Sequence, residues 1–239
     1  MICWVVERAL TARNVGRAIV ATDDERIHEA VTSAGFEAVL TSAEHRSGTD
    51  RIAEVAATME DASVIVNVQG DEPLISPETI EQAVATMLDD SGEVEIVTTW
   101  EPMESAVDVM NPDVVKIVVD ENNSAVYFSR SPVPYPRDGV RTHGSLEAAL
   151  ANEPTLLSGF RKHTGLYVYR RDVLLAFAKW PQSWLERAES LEQLRALEHG
   201  VKIKAIKAST ASIGVDTLED LRRVREVVST SEFQVSGFK

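Results

Sequence analysis

The sequence predicts an α/β fold with a mostly parallel central sheet of Rossmann-like type. Three observations carry this. Short apolar runs alternate with amphipathic stretches of about three helical turns, the pattern of βα units. Capping signals fall where one pattern gives way to the other. The 239 residues suit one large domain, or a core with a smaller lobe, able to bury roughly 70–75% of the unfolded surface.

The first element is helix-like. "CWVVERALTAR" (3–13) begins almost at the start of the chain, with no strand before it. "RAIVATD" (17–23) reads as a buried strand ending in an acid, and "DERIHEAVTSAG" (24–35) as a helix closed by Gly35. "EAVLTS" (37–42) is strand-like, and "GTDRIAEVAATM" (48–59) helical with Ile52, Val55 and Ala56 on one face. "SVIVNVQ" (63–69) is a strand. "SPETIEQAVATMLDD" (76–90) is a helix with Ser76 as N-cap, Pro77 at its first position and Glu78 in its first turn. "EIVTTW" (95–100) is a further strand.

The pattern then changes. "DVVKIVVDENNSAVYFSR" (113–130) reads as two strands joined at Glu121-Asn122-Asn123, a hairpin. "SPVPYPRDGVRTHG" (131–144) is proline-rich and loop-like, and 138–163 contains the helix-like "SLEAALA". "HTGLYVYR" (163–170) is a strand, "SWLERAESLEQLRALEHG" (183–200) a helix closed by Gly200, and "VKIKAIK" (201–207) a half-exposed strand. "DTLEDLRRVREVV" (216–228) is a final helix, capped by Asp216 or Thr217.

Composition narrows the function. A net charge of −14 disfavours nonspecific binding to nucleic acid or an anionic membrane, so a phosphate ligand needs metal ions or local basic groups. No run is long enough to cross a membrane. The one cysteine, Cys3, excludes an intrachain disulfide and fits a reducing, cytoplasmic setting.

Candidate chemistry gathers at strand ends, where ligands bind in open α/β sheets. In "VIVNVQGDEPLI" (64–75) an apolar run ends in two acids and a proline. Asp71 there can bind Mg²⁺, which takes one or two carboxylates plus phosphates, or can be an ordinary turn residue. Glu72 and Pro73 read as shaping the turn. Asp216, in "SIGVDTLED", can be a second metal ligand or merely an N-cap. "AEHRSGTDR" (43–51) places Ser47 and Gly48 at a helix start, an anion site or a simple cap. Arg130 ends a strand before a stiff loop and suits a bidentate anion, or stands in solvent. His163 and Tyr167, four apart on one strand, share a side. Glu192 projects close to the apolar stripe of its helix, either aimed into a site or snorkelling from its flank.

Together these segments resemble the 3-deoxy-manno-octulosonate cytidylyltransferases, the CMP-Kdo synthetases of bacterial lipopolysaccharide synthesis. The residues that carry the resemblance are "IVATDDERI", "EHRSGTDRIAEV", "VIVNVQGDEPLI", "NPDVVKIVVD…AVYFSRSPVPYPRD", "KHTGLYVYR", "LEQLRALEHG" and "GVDTLEDLRRV". They occur in the family's order from about Ile19 to Val224. "NVQGDEP" followed by "YFSR…P" separates them from the sialic acid cytidylyltransferases.

The resemblance implies the reaction of CTP with 3-deoxy-manno-octulosonate (Kdo) to give CMP-Kdo and diphosphate, with Mg²⁺. The sugar's anomeric hydroxyl attacks the α-phosphorus, a step that rests on positioning and charge neutralisation. It implies Asp71 and Asp216 as Mg²⁺ ligands and Gln69 as a sugar or nucleotide contact. It assigns Arg130, His163, Tyr167, Glu192 and Gln193 to the sugar-acid pocket, and Ser47 and Gly48 to the cytidine wall. It also implies a cytoplasmic homodimer, associating through a smaller lobe over about 113–170 within a single 1–239 domain. Alternative readings are a cytidylyltransferase for sialic acid or an amino analogue of Kdo, and an inactive remnant that only binds or dimerises.

One departure stands out. The family opens with a hydrophobic strand and a loop of the form Pro-Ala-Arg…Ser…Arg-Leu…Gly-Lys-Pro-Leu, which wraps the triphosphate. Neither is in this sequence, and "MICWVVERAL" resembles the family's segment just after the loop's Lys-Pro. Either the start was assigned too late, or this is the whole chain. In the second case the sheet lacks a central strand, leaving edges with unpaired backbone groups, and the basic cradle is missing.

Overall fold

The structure, a computed structural model, describes residues 1–90, 92–215 and 217–230, with side chains up to residue 228. The first half follows the expected alternation: α1 (Ile2–Thr11), β1 (Ile19–Thr22), α2 (Glu25–Ser33), β2 (Glu37–Leu40), α3 (Gly48–Ala57), β3 (Val64–Asn67), α4 (Pro77–Asp89) and β4 (Ile96–Pro102). Caps set the helix starts. Asp24, Ser47 and Ser76 each accept a backbone N–H of the turn they open, and Pro77 sits where its missing N–H costs nothing. Gly35, at φ +83°, turns the chain out of α2 in a conformation that a side chain would strain.

The second half adds α5 (Ala106–Met110), the hairpin β5 (Lys116–Val119) and β6 (Ala125–Ser129), α6 (Arg137–His143), α7 (Leu146–Asn152), a 3₁₀ turn (Pro154–Gly159), β7 (Arg161–Arg170) and α8 (Arg171–Phe177). It closes with α9 (Trp184–Glu189), α10 (Gln193–Glu198), β8 (Ile203–Lys207) and α11 (Leu218–Thr230). Thr217 caps α11, its hydroxyl accepting from the Asp220 N–H at 3.2 Å. Asp216, the other candidate cap, lies outside the described residues.

Two expectations need correction. The 131–144 segment is not all loop, because α6 occupies its second half and packs with α7, its Gly139 lying close against Ala149 and Leu156. Residues 183–200 are not one helix. The chain breaks at Ser190, which is left-handed at φ 51°. Arg130 accounts for the break: its Nε donates to the Glu189 carbonyl at 2.7 Å and its Nη2 to that of Ser190 at 3.4 Å. Carbonyls at the helix end thus find a side-chain partner, a contact that no local pattern reveals.

The main sheet has six strands. Five run in the order β6-β5-β7-β4-β8, and β3 also pairs with β7. Four of them, β3, β4, β5 and β8, point one way, and β6 and β7 run against them. β7 is the organising strand. Along one side it pairs with β4 from end to end. On its other side its partner changes from β5, at Lys162, to β3, at Tyr167. There its register with β4 also slips: Thr98 faces Tyr167 while Thr99 faces Thr164, so Gly165 and Leu166 bulge.

Helices cover both faces. Tyr167, Tyr169, Phe128, Phe177 and Leu194 form a core on one, and Ile80, Val84, Met87, Val97 and Val168 form a core on the other. Burying each such large apolar side chain stabilises the fold by about 1.5–3 kcal/mol.

β1 and β2 form a separate parallel pair. Among the described residues, the remaining edges of β1 and β3 pair with no strand. Both border a cleft of about 760 Å³, lined also by Ile2, Val5, Val6 and Ala9 of α1.

Candidate active site

The bulge in β7 lies beside the carboxyl end of β3, where Asn67 faces Tyr167. Gln69 leaves β3 here and lies across Gly165: a Cβ on that glycine would stand 3.1 Å from Gln69 Cγ. The Gln69 amide reaches the Gly165 carbonyl at 3.5 Å. Asp71 follows, half-buried in the turn before α4. Its carbonyl accepts the Val215 N–H at 2.9 Å, which ties the segment after β8 to the end of β3.

Close to it runs a chain of contacts between distant residues. Glu192 lies at the corner between α9 and α10. Its Oε1 accepts from Thr49 Oγ1 at 2.5 Å, and the Ser47 hydroxyl also reaches the carboxylate. Burial raises the Glu192 pKa, and the Asp50 charge adds to this against the Thr49 and Ser47 hydrogen bonds and the Arg195 charge. Burial, Tyr169 and Glu192 likewise push the Tyr167 phenol well up.

Tyr167 stacks on Tyr169, with ring centroids 5.7 Å apart, and meets His163 at 5.3 Å. His163 is held by Thr98, 2.9 Å from Oγ1 to Nε2, and by the edge-on ring of Phe128. Although some of the residue's surface stays open, burial of the imidazole drives its pKa down to about 3. His163 is therefore a neutral hydrogen-bonding group at physiological pH.

The corner that carries Glu192 is firmly built. Glu186 and Arg195, both nearly buried, meet at 3.1 Å, and the Arg195 guanidinium lies 4.1 Å from the Phe177 ring centre. Arg130 buttresses the corner with donors to Glu189, Ser190 and Pro112 carbonyls. Gln193 is buried on α10. Gly48 opens α3 with free space around it.

The structure thus joins Ser47, His163, Tyr167 and Glu192 in one wall and sets Gln69 against β7 beside it. Arg130 stands behind that wall, with three of its donors on carbonyls. Sequence reasoning missed Thr49, Asp50, Asn67 and Thr98. A signal existed for two of them: Asn67 interrupts "VIVNV" and Thr98 interrupts "EIVTTW", polar residues within strands otherwise read as buried. Glu192 Oε2, Asp50 Oδ1 and Asn67 Nδ2 are buried without a hydrogen-bond partner. Such orphaned donors and acceptors suit a polyhydroxylated ligand.

For a metal, Asp71 offers a hard carboxylate donor at a strand end, the type Mg²⁺ takes with phosphates and water. Among the described residues there is no cluster of three or more His, Cys, Asp or Glu fit to enclose an ion, which does not conflict with so sparse a protein ligand set. Asp216 lies outside the described residues, so the pairing of the two aspartates stays an expectation.

The profile of a protein family described as "Cytidylyltransferase" matches residues 1–203. A 3-deoxy-manno-octulosonate cytidylyltransferase of Geobacter metallireducens is 48% identical over 235 residues, covering 98% of this chain and 89% of the relative. One of Trichlorobacter lovleyi is 46% identical over 226 residues, covering 95% and 87%. A solved CMP:2-keto-3-deoxy-manno-octonic acid synthetase, complexed with CTP, is 40% identical with a TM-score of 0.83, over 95% of this chain and 87% of that one. A 4-diphosphocytidyl-2C-methyl-D-erythritol synthase from Anaerococcus prevotii, 12% identical with a TM-score of 0.58 over 95% and 85%, shares the fold.

Proposed function

The chain belongs to the cytidylyltransferase family, and from that membership we infer how these residues serve cytidylyl transfer from CTP to Kdo, giving CMP-Kdo and diphosphate. The observation that carries the assignment is the close match, in sequence and fold, to a synthetase solved with CTP.

We assign the sugar acid to the wall of His163, Tyr167, Glu192 and Gln193. Neutral His163 and the orphaned Glu192 Oε2 meet sugar hydroxyls there. Arg130 backs this pocket as its cationic group. Ser47 and Gly48, at the open start of α3, would contact the nucleotide, and the influence of Ser47 on the Glu192 carboxyl supports a nucleotide subsite adjoining the sugar subsite. Gln69, held against Gly165, would contact the sugar or the nucleotide. Asp71 and Asp216 would hold Mg²⁺, which when bound supplies charge neutralisation at the phosphates and favours deprotonation of the attacking hydroxyl. The protein's own part is to orient the sugar and triphosphate for in-line attack.

We also propose that the product feeds lipopolysaccharide assembly and that the chain works in the cytoplasm, in keeping with its lone cysteine. The chain acts as one 1–239 domain and dimerises through its 113–170 lobe, where Val126 on β6 is exposed.

Incubating the chain with CTP, Mg²⁺ and a panel of sugar acids tests the assignment. CMP-Kdo is the expected product by anion-exchange chromatography. Transfer to sialic acid in preference to Kdo, or to no acceptor at all, contradicts it.

A further inference from the structure

Residues 208–215, after β8, pass the carboxyl ends of β4 and β3, and polar contacts fix them there. The Ala208 N–H donates to the Trp100 carbonyl at 2.9 Å, and the Ser209 N–H to Thr79 Oγ1 at 3.1 Å. The densest knot is at Ser212. Its N–H donates to Glu101 Oε1 at 2.9 Å, and its hydroxyl donates to Glu72 Oε2 in a short hydrogen bond. Glu101 is 7% exposed and lies 3.6 Å from Lys162 Nζ. Three residues on, the Val215 N–H is held by the Asp71 carbonyl.

Two largely buried carboxylates, from different elements, therefore grip a single serine. Carboxylates are costly to bury and are retained when charge-assisted hydrogen bonds fix a geometry. A cavity of about 10 Å³ beside them, bordered by Thr79, Thr99, Thr164 and Thr210, leaves room for no more than one water. The knot is thus closed to ligands, and its role lies in what it positions.

We propose that Glu72 and Glu101 are positioning residues which, by gripping Ser212, set the 208–215 segment against Asp71 and so complete the nucleotide side of the site. This rests on the cytidylyltransferase reading only for the identity of the ligand. Neither residue itself touches substrate.

The test uses the full chain, native and with Ser212→Ala, Glu101→Ala or Glu101→Gln. Hydrogen exchange without nucleotide reads the grip itself. Exchange across 212–215 is expected to quicken about tenfold in Ser212→Ala and Glu101→Ala, the size of one charge-assisted hydrogen bond, with β4 and β7 unchanged. Calorimetry with Mg·CTP reads the consequence. Its Kd is expected to rise about tenfold in the same two variants, while Glu101→Gln, which keeps the Oε1 acceptor, stays close to native. Unchanged exchange, or unchanged Kd with quickened exchange, overturns the proposal. If native chain fails to bind Mg·CTP, the nucleotide assignment falls, and the grip is decided by exchange alone.

Discussion

Thr49 Oγ1 donates to Glu192 Oε1 at 2.5 Å across 143 residues of sequence, joining the first turn of α3 to the corner before α10. The carboxylate it steadies is mostly buried, and its second oxygen has no partner. Such a group costs stability unless a ligand satisfies it.

Glu192→Gln is therefore expected to stabilise the free chain at pH 8 by about 1–3 kcal/mol while weakening sugar binding. The sign comes from linkage. A carboxyl whose folded pKa is raised above its ordinary 4.5 favours folding when protonated and loses that contribution as pH rises through the folded value. Urea titrations at pH 4 and pH 8 check this. The advantage of the variant disappears at the lower pH, and equal gains at both would contradict the assignment.

His163 gives the opposite dependence. Its folded pKa of about 3 lies below the ordinary 6.5, so below pH 6.5 the unfolded chain takes up a proton that the fold refuses. Stability is lost as pH falls from there toward 3, at about 1.4 kcal/mol per unit from this residue. The stability–pH slope of His163→Gln between pH 6 and 4 is expected to be shallower than native by one proton. Identical slopes would show that the imidazole titrates normally.

Arg130 is expected to act through the α9–α10 corner. Arg130→Ala removes the partners of the Glu189 and Ser190 carbonyls and should cost about 2–3 kcal/mol in chemical denaturation. Arg130→Lys recovers little, because one ammonium cannot reproduce the guanidinium fork. Full recovery by lysine would point to charge alone.

Across the cleft, β1 and β3 each keep one edge unpaired among the described residues. Their amides should exchange hydrogen much faster than those of β4, which lies between β7 and β8. Equal protection in all three strands would show that the cleft closes in solution.

Much of this was legible in the sequence. Local signals placed the caps at Ser47 and Ser76 and the hairpin turn before β6, because each depends on a few adjacent residues. The break at Ser190 was not legible, since its cause is a guanidinium from the end of another strand. The change of partner along β7 was hidden for the same reason: its bulge is defined by pairing with β3, β4 and β5. Of the site, Asp71, His163, Tyr167 and Glu192 came from motif resemblance. Thr49 and Glu101 could not, because their roles lie in contacts to Glu192 and Ser212, far away in the chain.

The most direct test of Kdo-dependent cytidylyl transfer is diphosphate release from CTP and Kdo in the presence of Mg²⁺, measured for native chain and for Asp71→Asn. Native chain is predicted to release diphosphate only when both substrates are present. The variant is predicted to keep its fold by circular dichroism and to lose at least about a hundredfold in rate. Native-like turnover by Asp71→Asn, or release that does not depend on Kdo, would contradict the assignment.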